Sequence, residues 1–282
     1  LENKLEAFQV GIDALAKLTT GKVHLSVKGK GKSIFKDVKG VSLHQVYGPH
    51  PAGNVGVQIG KISPINAGER VWTVTPQDVA TIGELFLTGK FNATRTVALV
   101  GSEVKDAQYY NVISGAAITD LVAGKIEGDN VRVISGDVLT GTKVKMNGNL
   151  GFLSNTVTVI PEGNVYRMFG WMPFASPSVH SASRTGLSWL MPGKKYAPNT
   201  NLNGEERALV VTGEMETVMP LDIFPMQLLK ACLASDIDKM ESLGIYEVAP
   251  EDFALIDYTN TSKLEAQQII REALDLMIKE VG

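Results

Sequence analysis

The sequence predicts a mixed α/β and α+β fold: a parallel α/β sheet, a small α+β unit, and a C-terminal arm with helices. Three observations carry this reading. Over the first hundred residues, helical apolar spacing alternates with short apolar strands. Over the next sixty, strands and Gly-rich turns surround one short helical stretch. The last seventy residues return to helical spacing throughout.

Taken in order, Leu1, Leu5, Phe8, Ile12, Leu15 and Leu18 step by threes and fours and form one stripe of a helix that Gly21 ends. Val23 to Val27 alternates as a strand does, and after a Lys-rich turn Val38 to Val46 reads as a second strand. The loop Tyr47-Gly48-Pro49-His50-Pro51-Ala52-Gly53 then enters a short helical stretch. Trp72 to Val74 reads as a strand, Pro76 to Phe86 as a helix with proline in its first turn, and Thr94 to Gly101 as a strand. Strands separated by helices pair in parallel, so this stretch is read as a parallel α/β sheet. Because Leu1 opens directly in a helix, the reading expects an excised fragment whose sheet begins with strands ahead of it.

In 104–162, Tyr109 to Ser114, Asn130 to Ser135 and Asn155 to Ile160 are β-like, and Gly115 to Ala123 suits one short helix. In 163–282, Met168 to Asn203 is rich in Pro, Ser, Gly and Asn. It carries Trp171, Phe174, Trp189 and Tyr196, the composition of an irregular arm suited to lie along a partner. Ala208 to Val211 reads as a short strand. Helices are expected over Pro225 to Ala234, Asp236 to Leu243, Pro250 to Ile256 and Leu264 to Val281.

With 27 basic against 30 acidic residues, the chain lacks the basic field of a nucleic-acid binder. Its longest apolar runs fall far short of the roughly 18 residues of a membrane span. The single cysteine, Cys232, excludes a Cys-ligated iron–sulfur cluster built from this chain alone and reads as a buried thiol on an apolar helix face. Lys28-Gly29-Lys30-Gly31-Lys32-Ser33 suggests a phosphate loop, but Ser26 stands where a Walker loop needs its first glycine, and Ile34 stands where the dinucleotide fingerprint needs its third. A solvated turn is the better reading. The four histidines, His24, His44, His50 and His180, show no metal-ligand spacing, and His24 and His44 read as packing or hydrogen-bonding residues within strands. His50 differs, because its Pro–Gly-rich loop follows a parallel strand at the carboxyl end, where open α/β sheets bind ligands.

Several stretches together resemble the A subunit of the sodium-translocating NADH:quinone reductases, bacterial membrane respiratory complexes. They are GPHPAG at Gly48–Gly53 with the Val71-Trp72 strand after it, PQDVATIGELFLTGKF at Pro76–Phe91 and RTVALVGSEV at Arg95–Val104. FGWMPF around Trp171, VMPLDIFPMQLL at Val218–Leu229 and DKMESLGIYEVAPEDFAL at Asp238–Leu255 follow in the family's order. The resemblance implies a truncated Rossmann-like α/β domain at 1–103, a β-grasp domain of the SLBB type at 104–162 and a peripheral subunit on the cytoplasmic face of the inner membrane. It also implies partnership with the membrane subunits and a part in quinone binding coupled to sodium export. A docking subunit without a small ligand of its own is the alternative. Flavin- and cluster-bearing relatives share the fold. Here no carboxylate stands in the Gly48–Gly53 loop, where those relatives carry one, and Ile256 and Asn260 stand where many family members carry a pair of cysteines. No flavin or iron–sulfur cluster is therefore expected on this chain. Gly48, Pro49, His50, Pro51, Ala52 and Gly53 are the candidate quinone loop, with His50 as hydrogen-bond donor. No catalytic or metal-ligating residue is assigned.

Overall fold

The structure is a computed structural model that describes residues 1–164, 179–182 and 184–281. The chain divides into two compact units, Leu1–Arg95 and Thr96–Gly282.

In the first unit, α1 (Leu5–Leu18) leads to two parallel strands, β1 (His24–Lys28) and β2 (Ser42–Val46). They pair in a register that sets His24 opposite Ser42 and Lys28 opposite Val46, and the Gly29 N–H carries the ladder one step further to the Val46 carbonyl at 2.9 Å. Beyond that bond the Lys-rich run is a turn with Lys28, Lys30 and Lys32 exposed, as its composition suggested. Two helices follow, α2 (Val55–Ile62) and α3 (Pro76–Thr88). Pro76 starts α3 where a missing N–H costs nothing, and the Thr75 hydroxyl accepts from the Asp78 N–H. Gly89, at φ 71°, ends α3 in the left-handed conformation and donates to the Leu85 carbonyl at 2.8 Å.

The stripe foreseen on α1 is what builds the core: Phe8 and Ile12 meet Val79 of α3, with Leu25, Phe35, Val38 and Val41 packed against them. The two helices touch backbone to backbone. A Cβ added at Gly83 would stand 1.6 Å from the Ala7 carbonyl oxygen, and one added at Gly11 would stand 2.1 Å from that of Val79. Arg95, itself buried, pairs with Asp78 of α3.

Two expectations fail here. Trp72 to Val74 is not a strand: it has no sheet partner, and Trp72 is 90% exposed. The strand at Thr94–Val100 (β3) forms as predicted but does not join β1 and β2. Its Ala98, Leu99 and Val100 pair in parallel with Thr156, Val157 and Thr158, and its inward residues Val97 and Leu99 pack with Val157 and Val159 in one buried cluster.

The second unit holds a five-stranded sheet, β3 with β4 (Gln108–Ile113), β5 (Val131–Ser135), β6 (Thr142–Val144) and β7 (Thr156–Pro161). The strand order is β4-β3-β7-β5-β6, with β5 antiparallel to both β7 and β6. One short helix, α4 (Ile118–Val122), covers it with Ile118, Leu121 and Val122. The predicted strands and helix are all present, and β6 is an addition that the sequence pattern did not separate from its flanking glycines. Toward the C-terminus, α5 (Pro225–Leu233), α6 (Ile237–Ser242), α7 (Ala254–Thr259) and α8 (Ala266–Glu280) pack around Leu228, Leu229, Met240, Phe253, Ile256 and Ile270. α5, α6 and α8 follow the predicted ranges closely, whereas the stretch predicted from Pro250 to Ile256 is a 3-10 turn over Pro250–Phe253 that runs into α7. Cys232 is buried in this core. Ala208 to Val211 is not a strand. Val210 and Val211 are exposed without a neighbouring strand, and the chain there is held by the Arg207 N–H on the Ser262 carbonyl (2.8 Å) and the Ser262 hydroxyl on the Ala208 carbonyl (3.2 Å). Trp171 and Phe174 of the aromatic arm lie outside the described residues. Trp189 is exposed and Tyr196 half-buried.

Glu162 ties this unit together. It accepts from Arg132 of β5, from Lys143 of β6 at 3.0 Å and from the Thr200 hydroxyl at 3.0 Å. Led by the Arg132 hydrogen bond, these partners hold its carboxyl down at about 2 against an ordinary 4.5.

Two measurements follow from this architecture. Gly83→Ala should destabilise the protein by about 1–3 kcal/mol in denaturant unfolding, because the methyl has no room without parting α1 from α3. For Glu162, the depressed folded value means that its stabilisation is complete above pH 4.5 and is lost as pH falls from there towards 2. Glu162→Gln should therefore lower the thermal midpoint at pH 7 and flatten its decline across that acid window.

Candidate functional site

The six residues Gly48–Gly53 lie where the sequence places them, at the carboxyl end of parallel strand β2 and directly before α2. Gly48 takes φ 129°, a conformation that suits glycine alone, and a Cβ there would press the Ala52 methyl at 3.1 Å. The His50–Pro51 peptide is cis. Two turns close the loop, with the Ala52 N–H on the Pro49 carbonyl at 2.9 Å and the Asn54 N–H on the Pro51 carbonyl at 2.8 Å. The Gln58 amide reaches back from α2 to the carbonyls of Gly53 (3.1 Å) and Ala52 (3.4 Å). His50 itself is exposed. Asn54 occupies the N-cap of α2 without turning its side chain to the first-turn N–H groups. The loop therefore carries an exposed imidazole and leads into a helix whose first-turn N–H groups no N-cap side chain satisfies, donor types that suit a carbonyl or other electron-rich oxygen.

Sequence reasoning did not foresee Gln58, whose role depends on the turn geometry that brings the loop over the first turn of α2. Nor did it foresee how Tyr47 sits. Its ring lies over Gly29, where a Cβ would stand 2.1 Å from the ring, and its hydroxyl donates to Gln45 at 2.7 Å. A pairing of a small residue on one strand's end with an aromatic on the next could have signalled that contact.

A larger cleft, of about 1720 Å³, lies in the second unit, and none of Gly48–Gly53 lines it. On its wall His180 is flanked by Tyr258, stacked at 6.0 Å with its hydroxyl 3.2 Å from Nδ1, and by Tyr196, edge-on at 5.4 Å. Among the described residues no three His, Cys, Asp or Glu side chains converge in a metal-holding group. The Cys232 thiol is pushed up to about 11 by burial, away from the thiolate that binds metal or acts as a nucleophile.

Two family models match the chain, the NqrA second alpha/beta domain over residues 1–91 and the NQRA C-terminal domain over residues 96–146. The chain belongs to the NqrA family. Across 99% of its length it is 36% identical to a Neisseria meningitidis protein and 39% identical to one from Serratia proteamaculans. A Vibrio campbellii protein is 37% identical over 98% of the chain. All three are named as the A subunit of the Na(+)-translocating NADH-quinone reductase, and the chain spans 61–63% of their lengths. The two models meet where the fold divides, with the loop in the first and β3 opening the second.

Ile256 on α7 and Asn260 in the turn after it are both buried. Asn260 donates to the Ile256 carbonyl at 2.9 Å and to that of Leu264 at 3.3 Å, and accepts from the Leu264 N–H at 3.3 Å. Its amide is thus consumed in closing the turn between α7 and α8.

Gln58→Ala should speed amide exchange at Ala52 and Asn54 several-fold while leaving the unfolding midpoint nearly unchanged. The bonds it removes are local to the loop and partly solvated.

Proposed function

We propose that this chain is a portion of the A subunit of a sodium-translocating NADH:quinone reductase and serves the quinone side of that reaction without a redox centre of its own. The similarity of 36–39% over 99% of the chain to proteins so named carries the reading. In this reading NADH oxidation, flavin chemistry and sodium passage belong to partner subunits. Among the described residues no helix is long and apolar enough to cross a membrane, which suits a peripheral role on the cytoplasmic face. Iron–sulfur ligation needs several thiolates, and the one cysteine is buried and held protonated.

The Gly48–Gly53 loop is the proposed quinone contact on this chain. A quinone has two carbonyl oxygens to be met by donors and a flat apolar ring to be covered. His50 and the first-turn amides of α2 supply donors, and the exposed Tyr47 and Val55 flank the loop with apolar surface. Because the loop is open, its other wall is assigned to a partner subunit. The exposed Trp72, Phe86 and Phe91 of the same unit support a second reading, a docking subunit that holds its partners and touches no quinone.

Titration with a short-tailed quinone, followed by tryptophan fluorescence, separates the two. Saturable binding that weakens at least tenfold in His50→Ala supports the loop contact. Saturable binding indifferent to His50→Ala keeps the quinone role and removes His50 from it. If the chain quenches nothing yet co-purifies with the membrane subunits, the docking reading replaces the quinone one.

A further inference from the structure

The geometry points to a second site on this chain, a surface chelate for a divalent transition-metal ion formed by His24 of β1 and His44 of β2. The parallel register sets His44 opposite Ser26, so His24, two residues earlier on β1, lies diagonally across from it on the same face of the two-stranded sheet. The rings are close to parallel, 16° apart with centroids at 5.1 Å, and His24 Nδ1 stands 2.9 Å from His44 Nε2. Without metal, that distance is a hydrogen bond between one protonated and one unprotonated ring nitrogen.

The same distance fits a metal. With metal–nitrogen bonds of about 2.05 Å, two nitrogens 2.9 Å apart subtend about 90° at the ion, the angle between neighbouring ligands in square-planar or octahedral coordination. Tetrahedral zinc at the same bond length needs about 3.3 Å between nitrogens, so the strands or rings must first spread. Copper(II) and nickel(II), which favour right-angled nitrogen ligation, are therefore the ions that suit the pair. Both imidazoles bind in the neutral form. The ring that donates the bridging hydrogen bond moves that proton to its other nitrogen, which frees a second lone pair without net proton loss.

Both side chains are accessible, His24 exposed and His44 half-buried, so the ion reaches the pair from solvent. Among the described residues no third His, Cys, Asp or Glu side chain joins them, and water fills the remaining positions. The site is thus a two-ligand chelate. It clamps β1 to β2 when occupied and leaves coordination positions open to a further ligand.

The test is a titration of the whole chain with nickel(II) alone, read by calorimetry and by the thermal unfolding midpoint. The expected result is one saturable site that raises the midpoint. The affinity should fall about tenfold or more in both His24→Gln and His44→Gln and stay unchanged in His180→Gln. Glutamine keeps a donor and an acceptor at each position, and circular dichroism of the metal-free variants verifies that the strands still form. Nickel binding that survives both substitutions, no saturable nickel binding at all, or zinc bound tighter than nickel would each overturn the assignment.

Discussion

The backbone contact between α1 and α3 governs the first unit. Gly83 and Gly11 have no side chain, and only for that reason do the carbonyls of Ala7 and Val79 approach the opposite helix so closely. The close crossing delivers Phe8, Ile12 and Val79 into one cluster, and that cluster is the floor on which Leu25 of β1 and the flanking Val41 and Phe35 rest. A two-stranded parallel sheet has little stability of its own. The positions of the His24–His44 pair, and of the loop that leaves β2, therefore derive from this helix pair. A methyl group at either glycine acts on function only by way of this chain of contacts.

Much of this was legible in the sequence, for physical reasons that differ from element to element. The helices α1, α3 and α8 carry strong apolar stripes, and local signals mark the ends of α3, a threonine cap with proline and then glycine. The loop at Gly48–Gly53 could be placed because Pro and Gly restrict and release the backbone in known ways. What could not be read is partnership at a distance. Thr94–Val100 has the pattern of a buried strand, but the pattern does not say which sheet receives it, and Val157 and Val159 decide that from far along the chain. Trp72 to Val74 has strand composition and no neighbouring strand, so it stays unpaired. His24 and His44 are twenty residues apart and become adjacent only through the register of β1 on β2.

The second unit spends its buried polar groups on structure. Asn260 commits its amide to two carbonyls and an N–H and so closes the turn between α7 and α8. Cys232 is dry and protonated. Glu162, the most strongly perturbed carboxylate in the sheet, is occupied by Arg132, Lys143 and Thr200 and is a structural hub. Perturbed groups often mark active sites, but Glu162 is tied to three structural partners and Asp257 to Gln267 and the Ala266 N–H, while Lys263, its charged form disfavoured by burial, lies on the wall of the cleft.

With only four histidines in the chain, their ring nitrogens can be followed one by one by NMR in histidine-labelled protein as a short-tailed quinone is added. The account predicts that the His50 resonances shift and saturate while those of His24, His44 and His180 stay in place. Shifts confined to His180, on the wall of the cleft in the second unit, or four unmoved histidines at saturating quinone would contradict it.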